Sequence, residues 1–129
     1  RAVLGPPKAA GRVLIVDDDE GIRNVFTRIL SRRGYSVSEA VDGCQAMEVL
    51  GKGVFDVVIT DLIMPNREGI ETIQAIRHDY PDVKVIAVSG AFGGSYLETA
   101  VILGAHDRLT KPVSPETLLE TVRRVMGNQ

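Results

Sequence analysis

Residues 13–23 read VLIVDDDEGIR, four apolar residues running directly into Asp17, Asp18, Asp19 and Glu20. A short run of Val, Leu and Ile closed by turn-like acids predicts a buried strand. Beyond it, Ile22, Val25, Phe26, Ile29 and Leu30 recur at i, i+3, i+4, i+7 and i+8, which predicts a helix with one buried face. Clustered carboxylates repel one another and resist burial. They therefore belong where the strand leaves the core, at the turn into the helix. Asp19 and Glu20 are read as acids of the helix N-terminus, favoured by its dipole.

The same alternation repeats along the chain. YSVSEAV (35–41) predicts a second, more polar strand at a sheet edge. Asp42 then offers an N-cap, with Gln45 three residues on as a capping box. Ala46, Met47 and Leu50 supply the buried side of a helix ending at Gly51. DVVIT (56–60) and VKVIAVS (83–89) are apolar enough to be central strands. Ile70, Ile73 and Ile76 mark a helix after MPNREG, and a further helix is expected from Tyr96 to Leu103, closed by Gly104. HDRLT (106–110) is the last strand. Ser114 and Pro115 occupy good N-cap and N1 positions, and Leu118, Leu119, Val122, Val125 and Met126 give the final helix its apolar face. Gly34 stands where a left-handed C-terminal cap favours glycine. Continuous apolar strands alternating with amphipathic helices predict an α/β domain, a parallel sheet covered on both faces.

Composition sets the bounds. The 129 residues suit one domain, and such a chain buries roughly two thirds of its surface. A net charge of -2 gives no reason to expect nucleic-acid binding. No apolar run approaches the ~20 residues of a membrane span, and nothing resembles a signal peptide. The single cysteine, Cys44, is read as a small helix residue and fits a cytoplasmic setting. The opening RAVLGPPKAAG (1–11) is read as a linker or cloning remnant, residues 12–127 as the domain, and 128–129 as a tail.

The residues just past each strand carry the chemistry. Strand one ends in Asp17-Asp18, strand three in Thr60-Asp61, strand four in Ser89-Gly90 and strand five in Thr110-Lys111-Pro112. Sites in open parallel sheets lie outside the carboxyl ends of the strands, so three carboxylates, a hydroxyl and an ammonium converge. Such carboxylates call for a cation, and hard oxygen ligands suit Mg²⁺, which often shares its shell with a phosphate. A carboxylate can also act as a nucleophile and become an aspartyl phosphate. Together these parts point to phosphoryl transfer. Spacing alone does not say which aspartate is the nucleophile.

VLIVDDDEGIR, VVITDLIMPNREG, VIAVSG and LTKPVSPE, in that order and at these spacings, closely resemble the receiver domain of two-component response regulators, over about residues 12–126. The resemblance implies a flavodoxin-like doubly wound (βα)5 fold with strand order 2-1-3-4-5. It implies that Asp61 is the phosphoacceptor, with Asp18 and Asp61 as direct Mg²⁺ (or Mn²⁺) ligands, Asp17 assisting, and the backbone carbonyl of Ile63 completing the protein ligands. Ser89 is then the switch hydroxyl, Lys111 pairs with the phosphoryl group, and Lys111-Pro112 is cis. The implied partners are a histidine kinase or phosphotransfer protein and an output domain outside this chain. A C-terminal receiver of a hybrid histidine kinase is one such setting. The domain would be a signalling phosphoacceptor that catalyses its own phosphorylation and dephosphorylation.

Two rivals fit less well. A haloacid-dehalogenase-type phosphatase wants D-x-D-x-T/V after strand one, and here Asp17, Asp19 and Gly21 fall in those places. A flavodoxin-like FMN protein wraps phosphate in amides and hydroxyls, which the acids at 17–20 would repel. A degenerate receiver is disfavoured by the intact Asp18, Asp61, Ser89 and Lys111. His78 and His106 lack metal-ligand spacing and are read as surface or strand-start residues. There are departures from the family. Arg108 stands three residues before Lys111, where an aromatic is usual, and Val113 stands where Phe is common. Ile63 and Ala91 fill positions that tune dephosphorylation in the family. Arg108 is expected to stay at the surface, with the loop 90–95 carrying the switch.

Overall fold

The computed structural model describes residues 10–63, 69–90 and 94–127. Among these residues five strands and five helices alternate: β1 (Gly11–Val16), α1 (Glu20–Ser31), β2 (Tyr35–Ala40), α2 (Gly43–Leu50), β3 (Val57–Asp61), α3 (Gly69–Asp79), β4 (Lys84–Ser89), α4 (Gly94–Ile102), β5 (Asp107–Thr110) and α5 (Pro115–Val125). The strands form one parallel sheet in the order β2-β1-β3-β4-β5. The expected doubly wound architecture and its strand order are both present, with β2 at an edge.

Apolar runs that look uniform in sequence divide by alternation once paired. Leu14, Val16, Val58, Val85 and Ala87 face one side of the sheet with Ala46, Leu50, Ile73, Ile76, Leu97 and Ala100 from α2, α3 and α4. Val13, Ile15, Val57, Ile59, Ile86 and Val88 face the other with Phe26, Leu30, Leu118 and Val122 from α1 and α5. The register Leu14↔Val58 and Val58↔Val85 keeps like faces together across three strands, because side chains alternate with period two.

The helix starts follow local chemistry. The Asp19 carboxylate accepts from the Ile22 amide, Asp42 from the Gln45 amide and the Ser114 hydroxyl oxygen from the Thr117 amide. Gln45 returns a bond to the amide of Val41, at 2.7 Å, one residue before the cap itself. Gly34 and Gly104 both adopt positive φ, 91° and 120°, a region that costs a side chain but not glycine.

Several boundaries differ from expectation. β1 begins at Gly11, two residues ahead of the apolar run, because the strand also pairs Gly11 and Arg12 with Tyr35 and Ser36. α4 begins at Gly94 instead of Tyr96. Val25, placed on the buried face of α1 by spacing, is 53% exposed. The apolar stripe of α1 is wider than the sheet below it can cover.

Candidate functional site

The carboxyl ends of β1, β3, β4 and β5 meet at one rim, and backbone bonds tie each to its neighbour. The Asp17 amide donates to the Ala40 carbonyl at 3.1 Å, the Leu62 amide to Val88 at 3.0 Å, and the Lys111 amide to Ser89 at 2.8 Å. These bonds extend the sheet just past its regular pairing, and the side chains on them inherit its rigidity.

One carboxylate oxygen each from Asp17, Asp18 and Asp61 lie within 4.8 Å of one another. Asp17 and Asp61 are buried, whereas Asp18 is exposed. Asp17 is held on both oxygens, one accepting from the Asp19 amide at 2.9 Å and the other from Lys111 Nζ at 3.2 Å. Lys111 Nζ also stands 3.5 Å from an Asp61 oxygen. Ser89 ends β4, one residue beyond the Asp61↔Val88 pair, and is buried. The Thr60 hydroxyl donates back to the Asp61 carbonyl at 3.0 Å. Ile63 comes next at the mouth, with its side chain exposed.

The electrostatics follow from this geometry. Burial, and then the negative charge of Asp17, raise the Asp61 carboxyl above its ordinary value. Lys111 and the Leu62 amide oppose the rise without cancelling it. Burial alone would lower the Lys111 ammonium, but Asp61 and Asp17 outweigh it and hold Lys111 above its ordinary value. The arrangement is a charged triad of two buried acids and one base, opened to solvent on the Asp18 side.

The sequence-predicted residues Asp17, Asp18, Asp61 and Lys111 are therefore brought together, with Ser89 on the adjoining strand end. The Lys111-Pro112 bond is cis. Ala91 and most of the loop 90–95 lie outside the described residues. The structure also adds residues that motif reading passed over. Arg23 bonds the Asp17 carbonyl at 2.8 Å. Gly69 donates to the Leu62 carbonyl at 2.9 Å. The signal for Arg23 was a charged residue beside Ile22, one turn into a helix that starts at the acids. The signal for Gly69 was a glycine at the first position of a helix, where a side chain is ordinarily tolerated.

Compared with known proteins, residues 13–123 match the response regulator receiver domain. The chain belongs to that family. A chemotaxis response regulator, CheY4 of Vibrio cholerae, is 35% identical and superimposes with a TM-score of 0.83, covering 89% of this chain and 98% of that one. The response regulator MprA of Mycobacterium leprae is 33% identical over 89% of this chain, which spans 50% of its length. The sensor kinase CckA of Brucella abortus is also 33% identical, over 91% of this chain, which spans 13% of its length. This chain is a receiver domain of two-component signalling. Among its described residues no helix is long and apolar enough to cross a membrane.

Arg108 departs from the aromatic usual in receivers, and it is exposed on β5. Its amide donates to the Asp107 carboxylate at 2.8 Å. A guanidinium is costly to bury without a partner, so the side chain has no reason to leave solvent. Arg108→Ala is expected to leave the rate of phosphorylation by acetyl phosphate within about twofold, in line with the small effect of most surface substitutions. A tenfold drop in that rate, measured by intact mass against time, would show that Arg108 belongs to the reacting site.

Proposed function

We propose that this receiver takes a phosphoryl group onto Asp61 from a histidine kinase or phosphotransfer protein. The observation that carries the proposal is the meeting of Asp17, Asp18 and Asp61 within 4.8 Å beside Lys111. An Asp61 oxygen attacks phosphorus, and the bond from phosphorus to the donor's nitrogen or oxygen breaks with its electron pair leaving on the donor. Lys111 pairs with the transferred oxygens, and Ser89, at the adjoining strand end, hydrogen-bonds them as the switch hydroxyl. The three hard-oxygen donors fit Mg²⁺, with Asp18 and Asp61 as direct ligands, Asp17 assisting and the Ile63 carbonyl as a backbone ligand. The cation supplies charge neutralisation for the incoming phosphoryl group. That both Asp17 oxygens already accept hydrogen bonds supports its assisting role.

An apolar groove flanks this site. Ile22, Val25, Phe26, Pro112 and Val113 line it, with Asp19 and Lys111 at its rim. A donor histidine reaching Asp61 must lie over the rim, so the partner's surface covers this groove. The exposed Val25 is then an interface residue. The match within a sensor kinase supports a second setting, a receiver carried by a hybrid histidine kinase.

Intact-mass analysis after treatment with acetyl phosphate and Mg²⁺ tests the assignment. One added phosphoryl group is expected on the wild-type protein and none on Asp61→Asn. Equal labelling of both would refute it. Lys111→Ala is expected to keep cation binding but slow phosphorylation about a hundredfold, the usual loss when one donor to developing charge is removed. A wild-type rate in Lys111→Ala would remove Lys111 from the reaction.

A further inference from the structure

We propose that Arg23 is a positioning residue for the cation site, acting through the backbone of Asp17, and that Glu39 and Thr27 hold it in place. The inference rests on the cation reading of the acid cluster and adds a device outside the acids themselves. Arg23 Nη1 donates to the Asp17 carbonyl oxygen at 2.8 Å, and its Nε donates to Glu39 Oε1 at 3.1 Å. The other carboxylate oxygen of Glu39 accepts from the Thr27 hydroxyl at 3.1 Å. The Arg23 side chain is only 12% exposed. A chain of bonds thus runs from α1 to the edge strand β2, and back to the point where β1 releases the acids.

The carbonyl is the decisive contact. The Asp17 amide is already bonded to Ala40 at the end of β2. With the carbonyl also held, both peptide planes flanking Asp17 are set. The second of these planes carries Asp18 and so sets the direction in which the exposed Asp18 carboxylate leaves the chain. Lysine cannot do the same work. The guanidinium is a rigid fork with donors at fixed angles, which here reach one acceptor just past the end of β1 and another on β2. An ammonium is a single point on a flexible stem. Thr27 lies four residues after Arg23, on the same face of α1, and its bond keeps the Glu39 carboxylate from rotating away.

A plain ion pair tying α1 to β2 would change stability and nothing else. Mn²⁺ affinity separates the two roles, because loss of an outer partner typically weakens metal binding by about 10–100-fold. The experiment measures Mn²⁺ binding by water-proton relaxation, well below each variant's melting temperature. Arg23→Gln and Arg23→Lys are expected to weaken binding about tenfold. Glu39→Gln should fall between them and wild type, since its amide oxygen still accepts from Nε. Arg124→Gln, which removes the exposed pair with Asp107, serves as the control and should stay within twofold. If Arg23→Gln does not fold, Arg23→Lys and Glu39→Gln carry the test. Wild-type affinity in the Arg23 variants, whatever their melting temperature, would overturn the positioning role alone. A wild-type protein that binds no Mn²⁺ would overturn the cation reading and this role with it.

Discussion

Asp61→Asn is expected to abolish phosphorylation and at the same time raise the melting temperature. Asparagine is close in shape to aspartate but carries no charge and no nucleophilic oxygen. Asp61 is buried beside Asp17, and its carboxyl is held above the ordinary value despite Lys111. The native state therefore keeps its proton to higher pH than the unfolded chain does. Stability falls as pH rises from the unfolded value near 3.8 through the raised folded value, and it stays lower above that. Asparagine removes this penalty, and Lys111 retains Asp17 as a partner. A melting temperature above that of wild type is therefore expected at pH 7. The gap should narrow as pH falls through the raised folded value and close below about 3.8, where the carboxyl is neutral in both states. Mg²⁺ should stabilise the wild-type protein by mass action and narrow the gap as well. Thermal melts at both pH values, with and without Mg²⁺, provide the check. A variant that melts below wild type at pH 7 would mean that the ionised Asp61 contributes to the fold instead of straining it.

Gly69→Ala is expected to damage both stability and phosphorylation, although Gly69 lies outside the acid cluster. A Cβ built there falls onto the Asp61 carbonyl oxygen and Leu62 Cα, closer than real Cβ contacts occur. Both obstacles are backbone, so no side-chain rotation relieves them. The conflict arises from space and not from the dihedral angles of the glycine, because α3 starts directly against the peptide that follows Asp61. Overpacking of this kind costs about 1–3 kcal/mol, a fall of roughly 4–12 °C. The Asp61–Leu62 peptide must move to make room, and a displacement near 1 Å can lower a rate about a hundredfold. Melts and the rate of mass increase with acetyl phosphate would measure both effects. Gly90→Ala is the comparison, since a Cβ there meets nothing within 4 Å, and its melting temperature should match wild type. Gly69→Ala with wild-type stability and rate would show that the loop yields without cost.

The elements and the residue types at their ends are legible along the linear chain. VLIV, VVIT and VIAV read as strands because they are short, rich in β-branched residues and bounded by turn residues. Asp42 and Ser114 start helices because their side chains reach amides three residues on, and Asp19, read only as an acid favoured by the helix dipole, caps α1 in the same way. These are local effects, written within a few residues. The alternation of strand and helix by itself places Asp17, Asp18, Asp61, Ser89 and Lys111 at the carboxyl ends of the strands. Contacts between segments distant in sequence were settled by the folded arrangement alone. Lys111 and Asp17 are 94 positions apart, and their 3.2 Å contact depends on the order β1-β3-β4-β5. Val25 has the spacing of a core residue yet is exposed, because packing and not periodicity sets how far a helix face is covered. Arg23 became visible only when β2 brought Glu39 alongside α1. Gly69 reads as an ordinary helix start until the Asp61–Leu62 peptide is seen pressed against it. Local patterns are read along the chain, whereas close contacts between remote groups exist only after the sheet register has been chosen.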